Sequence, residues 1–387
     1  MTVAEIRAPG EDEFLAQELT LDRLEILEVV VPQVESFRSA VGVRNERRAL
    51  FVRWYDLDGA WGVGECSCRP DPFFSGEFVD GARKVLEDHL GRLLPHRGTM
   101  AEVVAATDRI RGWPFTVAAV LEAASDLLRR RGEADLLDAW DGPRLSAVPV
   151  GISLGLFPTA EEAVARVGRA VDDGYHRIKL KISPQMDLEP LRAIRDAFPK
   201  IHLGFDANGT GRTRDVPFFV GLAELEPATL EQPFAPDRLD LCVALKEQAS
   251  DLCLCLDESV ASFGDLVVAH RLGALDELNV KPGRVGGPLV TARILAYCRE
   301  QGLPAWVGGM FETSVGRMAN LRVASRLPEA KAHDLSPSSR YFTTDVVDPP
   351  VTMDSDGTVP MGTEQPAPLD ESALEQLQVD RRVVQVR

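Results

Sequence analysis

Five charged residues recur along the second half of the chain at nearly constant intervals. Lys181, Asp206, Glu231, Asp257 and Lys281 are separated by 25, 25, 26 and 24 residues, three acids flanked by two lysines. Three carboxylates brought to one place repel one another unless a cation lies between them. An all-oxygen donor set favours Mg²⁺, with Mn²⁺ as the next choice, and leaves positions for water or substrate. A divalent ion held there can bind a substrate carboxylate and stabilise the enediolate left when the α-proton departs. Carbon acids beside a carboxylate are very weak, so this chemistry also needs a positioned base. A lysine serves when neighbouring positive charge lowers its pKa. Lys179 lies two residues before Lys181 on the same strand face and is expected to supply that charge and to touch the carboxylates. Lys281, four strands away, is expected to approach substrate from the opposite side.

The interval is that of one βα unit, and each charged residue ends a short β-like run. These runs lie in "HRIKLKI", "HLGFDAN", "ATLEQP", "LCLCLDES" and "ELNVKPGR", preceded by "VPVGISLG" and followed by "PAWVGG" and "AHDLS". Helical stretches such as "TAEEAVARVGRAVDD" separate them. Parallel strands need crossover connections, so eight alternations predict an α/β fold, a modified (β/α)8 TIM barrel over residues 146–340. The C-terminal strand ends of a barrel form its active-site rim. The five residues then converge, and a set of independent surface salt bridges does not account for their common phase.

The rest of the chain has another character. Residues 19–145 begin with β-branched and aromatic runs joined by a hairpin signal at Asp58-Gly59, then turn helical through "VAAVLEAASDLLRRR". Strands followed by helices predict an α+β capping domain. Residues 1–18 read as a loosely ordered extension. They lack the basic start and apolar stretch of a secretory signal. Residues 341–387 are expected to pack back on the capping domain.

With 60 acidic against 43 basic residues, the net charge is −17, and no basic run offers a nucleic-acid footprint. No apolar run approaches the ~20 residues of a membrane span. The cysteines Cys66, Cys68, Cys242, Cys253, Cys255 and Cys298 have neither disulfide-framework nor zinc-site spacing, and read as buried thiols in a reducing cytoplasm.

At the level of motifs the chain resembles the enolase superfamily, in its muconate lactonizing enzyme subgroup. The matching segments are "KLK" ending at Lys181, "DAN" with Asp206 and Asn208, "EQP" with Glu231, "LDES" with Asp257 and Glu258, and "NVKPGRVGG" with Lys281. The resemblance runs from about Leu21 onward. It includes "ESFRSAVG" and "RPDPFFSGEFVDGA", the latter with Phe73 and Phe74, which look like the two loops that close over substrate. "RIKLKI", "NVKPGRVGG" and "VGGMFETSVGR" are similar to the N-succinylamino acid racemase/o-succinylbenzoate synthase family.

The resemblance implies Mg²⁺ bound by Asp206, Glu231 and Asp257, with Lys181 and Lys281 facing each other across a small carboxylate substrate. In o-succinylbenzoate synthesis it implies that Lys181 removes the α-proton and assists loss of hydroxide. In racemisation the two lysines exchange donor and acceptor roles. Arg284 matches an arginine of the racemase-capable branch, and Ser153 a pocket-lining position. Gly309, Met310 and Phe311 fall in the pocket wall. Phe311 replaces a smaller aliphatic residue, Ser314 a glycine, Val41 an aromatic, and "MGTEQPAP" a more glycine-rich stretch. These departures touch pocket wall and lid, and therefore substrate choice. Homo-oligomers are common among such barrels.

Other readings compete. Dipeptide epimerisation and muconate-type cycloisomerisation use the same scaffold. Epimerases often carry Asp-x-Asp on the last strand, where this chain has Asp334 alone. Gly151-Ile-Ser153-Leu-Gly155 fits the nucleophile-elbow pattern of a serine hydrolase, with Asp257 and His333 as nominal partners, but that reading leaves the rim unexplained. A Schiff-base lysine is a third option.

Overall fold

The structure is a computed structural model describing residues 6–39, 42–133, 135–330, 332–362 and 367–386, with side chains 35–44 outside the description. The side chains of "ESFRSAVG", Val41 among them, and much of "MGTEQPAP" therefore lie outside the described residues.

The capping sheet is antiparallel. Strands β1 (Arg23–Ser39), β2 (Gly42–Tyr55) and β3 (Trp61–Cys66) follow one another in sequence. The β2–β3 turn carries Gly59 at φ 85°, the left-handed conformation that Asp-Gly turns need. The helix Pro114–Arg130 packs on β3, because Gly62 and Gly64 let the backbones meet. A Cβ on Gly64 would sit 2.1 Å from the Ala119 carbonyl oxygen. Glu77 holds the start of this helix, accepting from the backbone N–H groups of Phe115 at 2.7 Å and Thr116 at 2.9 Å.

The second unit is a curled sheet of seven parallel strands. These are β4 (Ile152–Leu154), β5 (Arg177–Lys181), β6 (His202–Asp206), β7 (Thr229–Glu231), β8 (Leu254–Leu256), β9 (Glu277–Val280) and β10 (Ala305–Val307), paired in chain order. Thr159, Ser262 and Thr313 cap the helices after β4, β8 and β10, each side chain accepting a backbone N–H of the first turn. The eighth strand is reduced to two residues. His333 bridges to Val150 and Asp334 to Gly308, both in parallel sense, so "AHDLS" joins the last strand back to the first.

The ends of the chain depart from simple expectation. The extension expected to be loose instead forms the helix Glu11–Ala16. Phe14 is buried there, and Glu11 is paired at 2.5 Å with Arg293 of the barrel helix Pro288–Gln301. The buried Phe14 and the ion pair made by the buried Glu11 make residues 6–18 part of the packed body. The tail first runs along the barrel, where Thr358–Pro360 pairs with Ala147–Pro149. It then returns to the cap, where β11 (Gln378–Gln385) pairs antiparallel with β1.

Gly64→Ala is expected to destabilise the fold by about 1–3 kcal/mol through overpacking against Ala119. A urea midpoint equal to that of the wild type would contradict the close packing of β3 on its helix.

Candidate active site

Strand register brings the rim together. Lys181 lies opposite Asp206, and Asp206 opposite Glu231. Asp257 follows β8 directly, and Lys281 follows β9. Lys179, Lys181, Asp206, Lys281, Asn208, Glu258, Ser153, Gly309, Met310, Phe311, Phe73 and Phe74 all line one cavity of about 250 Å³ between rim and cap. Glu231 and Asp257 are fully buried beneath it.

The rim is an alternating lattice of charge. Lys179 Nζ lies 2.7 Å from Glu231, 3.5 Å from Asp206 and 2.6 Å from Asp334. Lys181 donates to Asp206 at 2.6 Å, and Lys281 to Asp257 at 2.7 Å. Asn279 donates to the second oxygen of Glu231 at 2.9 Å. Asn208 donates to Glu258 at 3.0 Å.

Burial and charge pull the ionisable groups apart. Burial lifts the Glu231 carboxyl, and repulsion from Asp206, Asp257 and Asp334 adds to it, reaching about 8 although Lys179 opposes the rise. Glu258 is lifted to about 7 by burial and by Asp257 and Asp206. Burial works against the Asp206 charge too, yet Lys181 and Lys179 hold that carboxyl below its usual range. Lys281 and Arg284 do the same for Asp257. Desolvation opposes the Lys179 charge, but Asp334, Glu231 and Asp206 outweigh it and hold the ammonium well above its ordinary value. Lys179 therefore serves as a fixed cation between carboxylates.

The donor set suits a hard cation: three buried carboxylates on adjacent strands, all oxygen. Glu258 Oε2 is a further buried oxygen without a hydrogen-bond partner. Among the described residues, no three acidic, histidine or cysteine side chains are gathered as a ready metal cage. Each of Asp206, Glu231 and Asp257 instead holds an ammonium or guanidinium.

Arg284 sits outside the cavity wall. It is buried behind Asp257, bonded to that carboxylate and donating to the carbonyls of Val260 at 2.8 Å and Asn279 at 2.6 Å. Its influence on the cavity passes through Asp257, which also binds Lys281. Phe74 lies over Lys281, its ring centroid 4.9 Å from Nζ, and packs edge-on against Phe115. Phe73 is largely exposed. Phe311 meets Tyr341 edge to face at 4.9 Å. Gly309 has no room for a side chain, since a Cβ would lie 2.4 Å from Arg317 Nη1.

Ser153 lies at the cavity wall, but its Oγ has no hydrogen-bond partner. His333 Nδ1 accepts the Val307 N–H at 3.0 Å, and its buried Nε2 makes no hydrogen bond to Ser153 or to any other described group. The nucleophile–base contact of a serine hydrolase is thus absent among the described residues.

Three contributors are missed by motif reading. Arg177 pairs with Asp334 at 2.8 Å and stacks on Trp306 at 3.9 Å. The alternation Arg177-Lys179-Lys181 on one strand was the signal for it. Asn279, two residues before Lys281, shares its face. Arg47 stands within "RNERR", where nothing local separates it from surface charges.

Fold and rim define a barrel enzyme with a carboxylate-and-lysine site, and comparison with known proteins agrees. A family model described as enolase C-terminal domain-like matches residues 162–366. The chain is 35% identical over 350 residues to an N-succinylamino acid racemase of Amycolatopsis sp, covering 89% of this chain and 94% of that protein. It is 34% identical over 348 residues to an o-succinylbenzoate synthase of Enterococcus faecalis, with 89% and 94% covered. An enolase superfamily member from Listeria innocua superposes with a TM-score of 0.88 at 27% identity, covering 95% of this chain and 100% of that one. A dipeptide epimerase from Cytophaga hutchinsonii, solved with Mg and a dipeptide, shares the fold at 20% identity and a TM-score of 0.83, over 95% of this chain and 100% of that one. The chain belongs to the enolase superfamily, in the group that contains N-succinylamino acid racemases and o-succinylbenzoate synthases.

The buried His333 yields a pH prediction. Burial, with Arg177 nearby, depresses its pKa from 6.5 to about 3, so the fold holds it neutral. A depressed pKa stabilises fully above the unfolded value, and that stability is lost as pH falls towards the folded one. Relative to His333→Asn, wild-type unfolding free energy should drop by about 2 kcal/mol between pH 7 and pH 5, at about 1.4 kcal/mol per pH unit. Parallel stability curves for the two proteins would contradict a neutral, buried imidazole.

Proposed function

We propose that this chain removes the proton α to a substrate carboxylate, racemising N-succinylamino acids, forming o-succinylbenzoate by loss of water, or both. The observation that carries the reading is the order of residues around the rim. Lys181 and Lys281 stand at the C-terminal ends of strands four places apart, and Asp206, Glu231 and Asp257 at the ends of the three strands between them. A carboxylate held through a cation bound by these acids would present its α-carbon between two amines.

Asp206, Glu231 and Asp257 would hold Mg²⁺, which when bound supplies positive charge to the substrate carboxylate as it takes on enediolate character. For racemisation, one lysine takes the α-proton at Nζ and the other returns a proton to the opposite face. For dehydration, Lys181 takes the α-proton and delivers it to the departing hydroxide, so that water leaves, while the Lys281 ammonium stabilises the enediolate. Lys179 stays charged among its three carboxylates and keeps them oriented. Arg284 fixes Asp257 and, through it, the direction of Lys281. Phe74, Phe311 and Tyr341 give the cavity an apolar wall that limits water around the amines.

Asp334 bears on the choice between acylated and free amino substrates. Its carboxylate is already held by Lys179 and Arg177, which pull it down to about 2 against the effect of burial. A carboxylate so committed has little capacity left for a substrate ammonium. That supports an N-acylated substrate over a dipeptide.

Lys181→Ala and Lys281→Ala should each lower racemisation by about 10²–10⁴-fold. Each variant should keep more α-proton exchange with one enantiomer of an N-succinylamino acid than with the other. Equal residual exchange with both enantiomers would argue against two faces served by two lysines. Asp206→Asn should weaken Mg²⁺ binding in titration calorimetry by at least about tenfold, and an unchanged isotherm would remove that residue from the ligand set.

A further inference from the structure

The cap side of the cavity holds a guanidinium that the chemistry above does not use. Arg47, on β2, lines the cavity and is only 4% exposed. Its Nη1 donates to the Cys68 carbonyl at 2.7 Å, which fixes the plane of the group. Its Nε and Nη2 are buried and make no hydrogen bond. Among the described residues no carboxylate lies within 4 Å of it. A buried charged donor without an acceptor is costly, so the surroundings of such a group normally provide one.

The neighbouring groups are otherwise engaged. Arg69, on the same wall, is paired with Asp71 at 3.0 Å. Lys179, Lys181 and Lys281 are each held by rim carboxylates. Glu65 feels the charge of Arg47, but its oxygens accept from Thr313 N and Oγ1 and from Gly316 N. The unmatched edge of Arg47 consists of Nε and Nη2, the pair of donors that takes both oxygens of one carboxylate. The acceptor it lacks is best supplied from the cavity.

N-succinylamino acids and o-succinylbenzoate have one part in common outside the reacting centre: a four-carbon acyl chain ending in a free carboxylate. We propose that Arg47 is a specificity-determining residue that binds this distal carboxylate through its Nε–Nη2 edge, while the reacting carboxylate is held at the barrel rim. The inference rests on the reading of the substrate as succinylated. It assigns the acyl end to the cap and the α-carbon to the barrel, so that closure of one on the other requires a dicarboxylate of the right length.

The test compares an N-succinylamino acid with its N-succinamoyl analogue, in which the distal carboxylate is a neutral amide of the same shape. The ratio of kcat/KM for the two, measured with Mg²⁺, cancels general damage to the enzyme. The wild type should prefer the carboxylate by at least about 30-fold. In Arg47→Met that ratio should fall to within about threefold of unity, and in Arg47→Lys it should be intermediate, because one ammonium cannot reproduce the fork. A wild-type ratio near one, or a ratio unchanged in Arg47→Met, would overturn the assignment. If Arg47→Met proves unstable, Arg47→Lys decides by the same ratio. A wild type inactive on both compounds would contradict the proposed reaction, and the role of Arg47 would then be judged by the same ratio of Kd values in calorimetry.

Discussion

The structure turns on the compensation of charge at one buried rim. Asp206, Glu231, Asp257, Glu258 and Asp334 face Lys179, Lys181, Lys281, Arg177 and Arg284, most of them out of contact with water. Removing one member leaves its partner uncompensated in a low dielectric, which costs far more than the pair contributes. The raised pKa values of Glu231 and Glu258 mark where negative charge is in excess. A divalent cation and a substrate carboxylate can enter such a lattice together with little change in net charge. In the proposed reaction the amines would then leave their carboxylates and exchange protons with carbon.

That lattice needs rigid support, and the backbone supplies it at some cost. Asn208 and Gln232, each one or two residues past a rim acid, adopt positive φ of 44° and 39°. Such conformations cost ~1–3 kcal/mol each and persist only where the surroundings fix them. Gln232 is fixed on all sides. Its Oε1 accepts from the Asp257 and Ser259 N–H groups, and its Nε2 donates to the Phe234 carbonyl and the Ser259 hydroxyl. The side chain after one rim acid thereby sets the backbone at the next. The cap is tied to the same rim by Glu65, which holds the start of the helix Ser314–Ala324 just beyond Met310 and Phe311.

The parts of this arrangement that repeat were legible in the sequence. Five charged residues at βα spacing locate five strand ends, and a strand fixes which side of the sheet they face. The hairpin at Gly59 and the Thr and Ser caps are local signals, visible for the same reason. What sequence pattern could not give depends on contacts between distant segments. Lys179 was expected to touch the rim carboxylates, and it does, but its third partner, Asp334, comes from the reduced eighth strand and no local pattern points to it. Arg284 was read by its match to the racemase-capable branch, and the fold shows that the turn after β9 buries it behind Asp257. The N-terminal helix packs through Phe14 and pairs with Arg293, far along the chain, contacts that no local pattern announces. Arg47 is distinguished from Arg48 next to it solely by which face of β2 it occupies and what lies opposite.

The central claim is that this rim makes a carbon acid exchange its proton under metal control. The most direct measurement is ¹H NMR of an N-succinylamino acid incubated with the protein in D₂O. With Mg²⁺ present, the α-proton signal should disappear while the succinyl methylene signals persist, and a chelator should stop the loss. An α-proton signal that stays constant across a panel of N-acylamino acids, or one that decays equally with chelator present, would contradict the account.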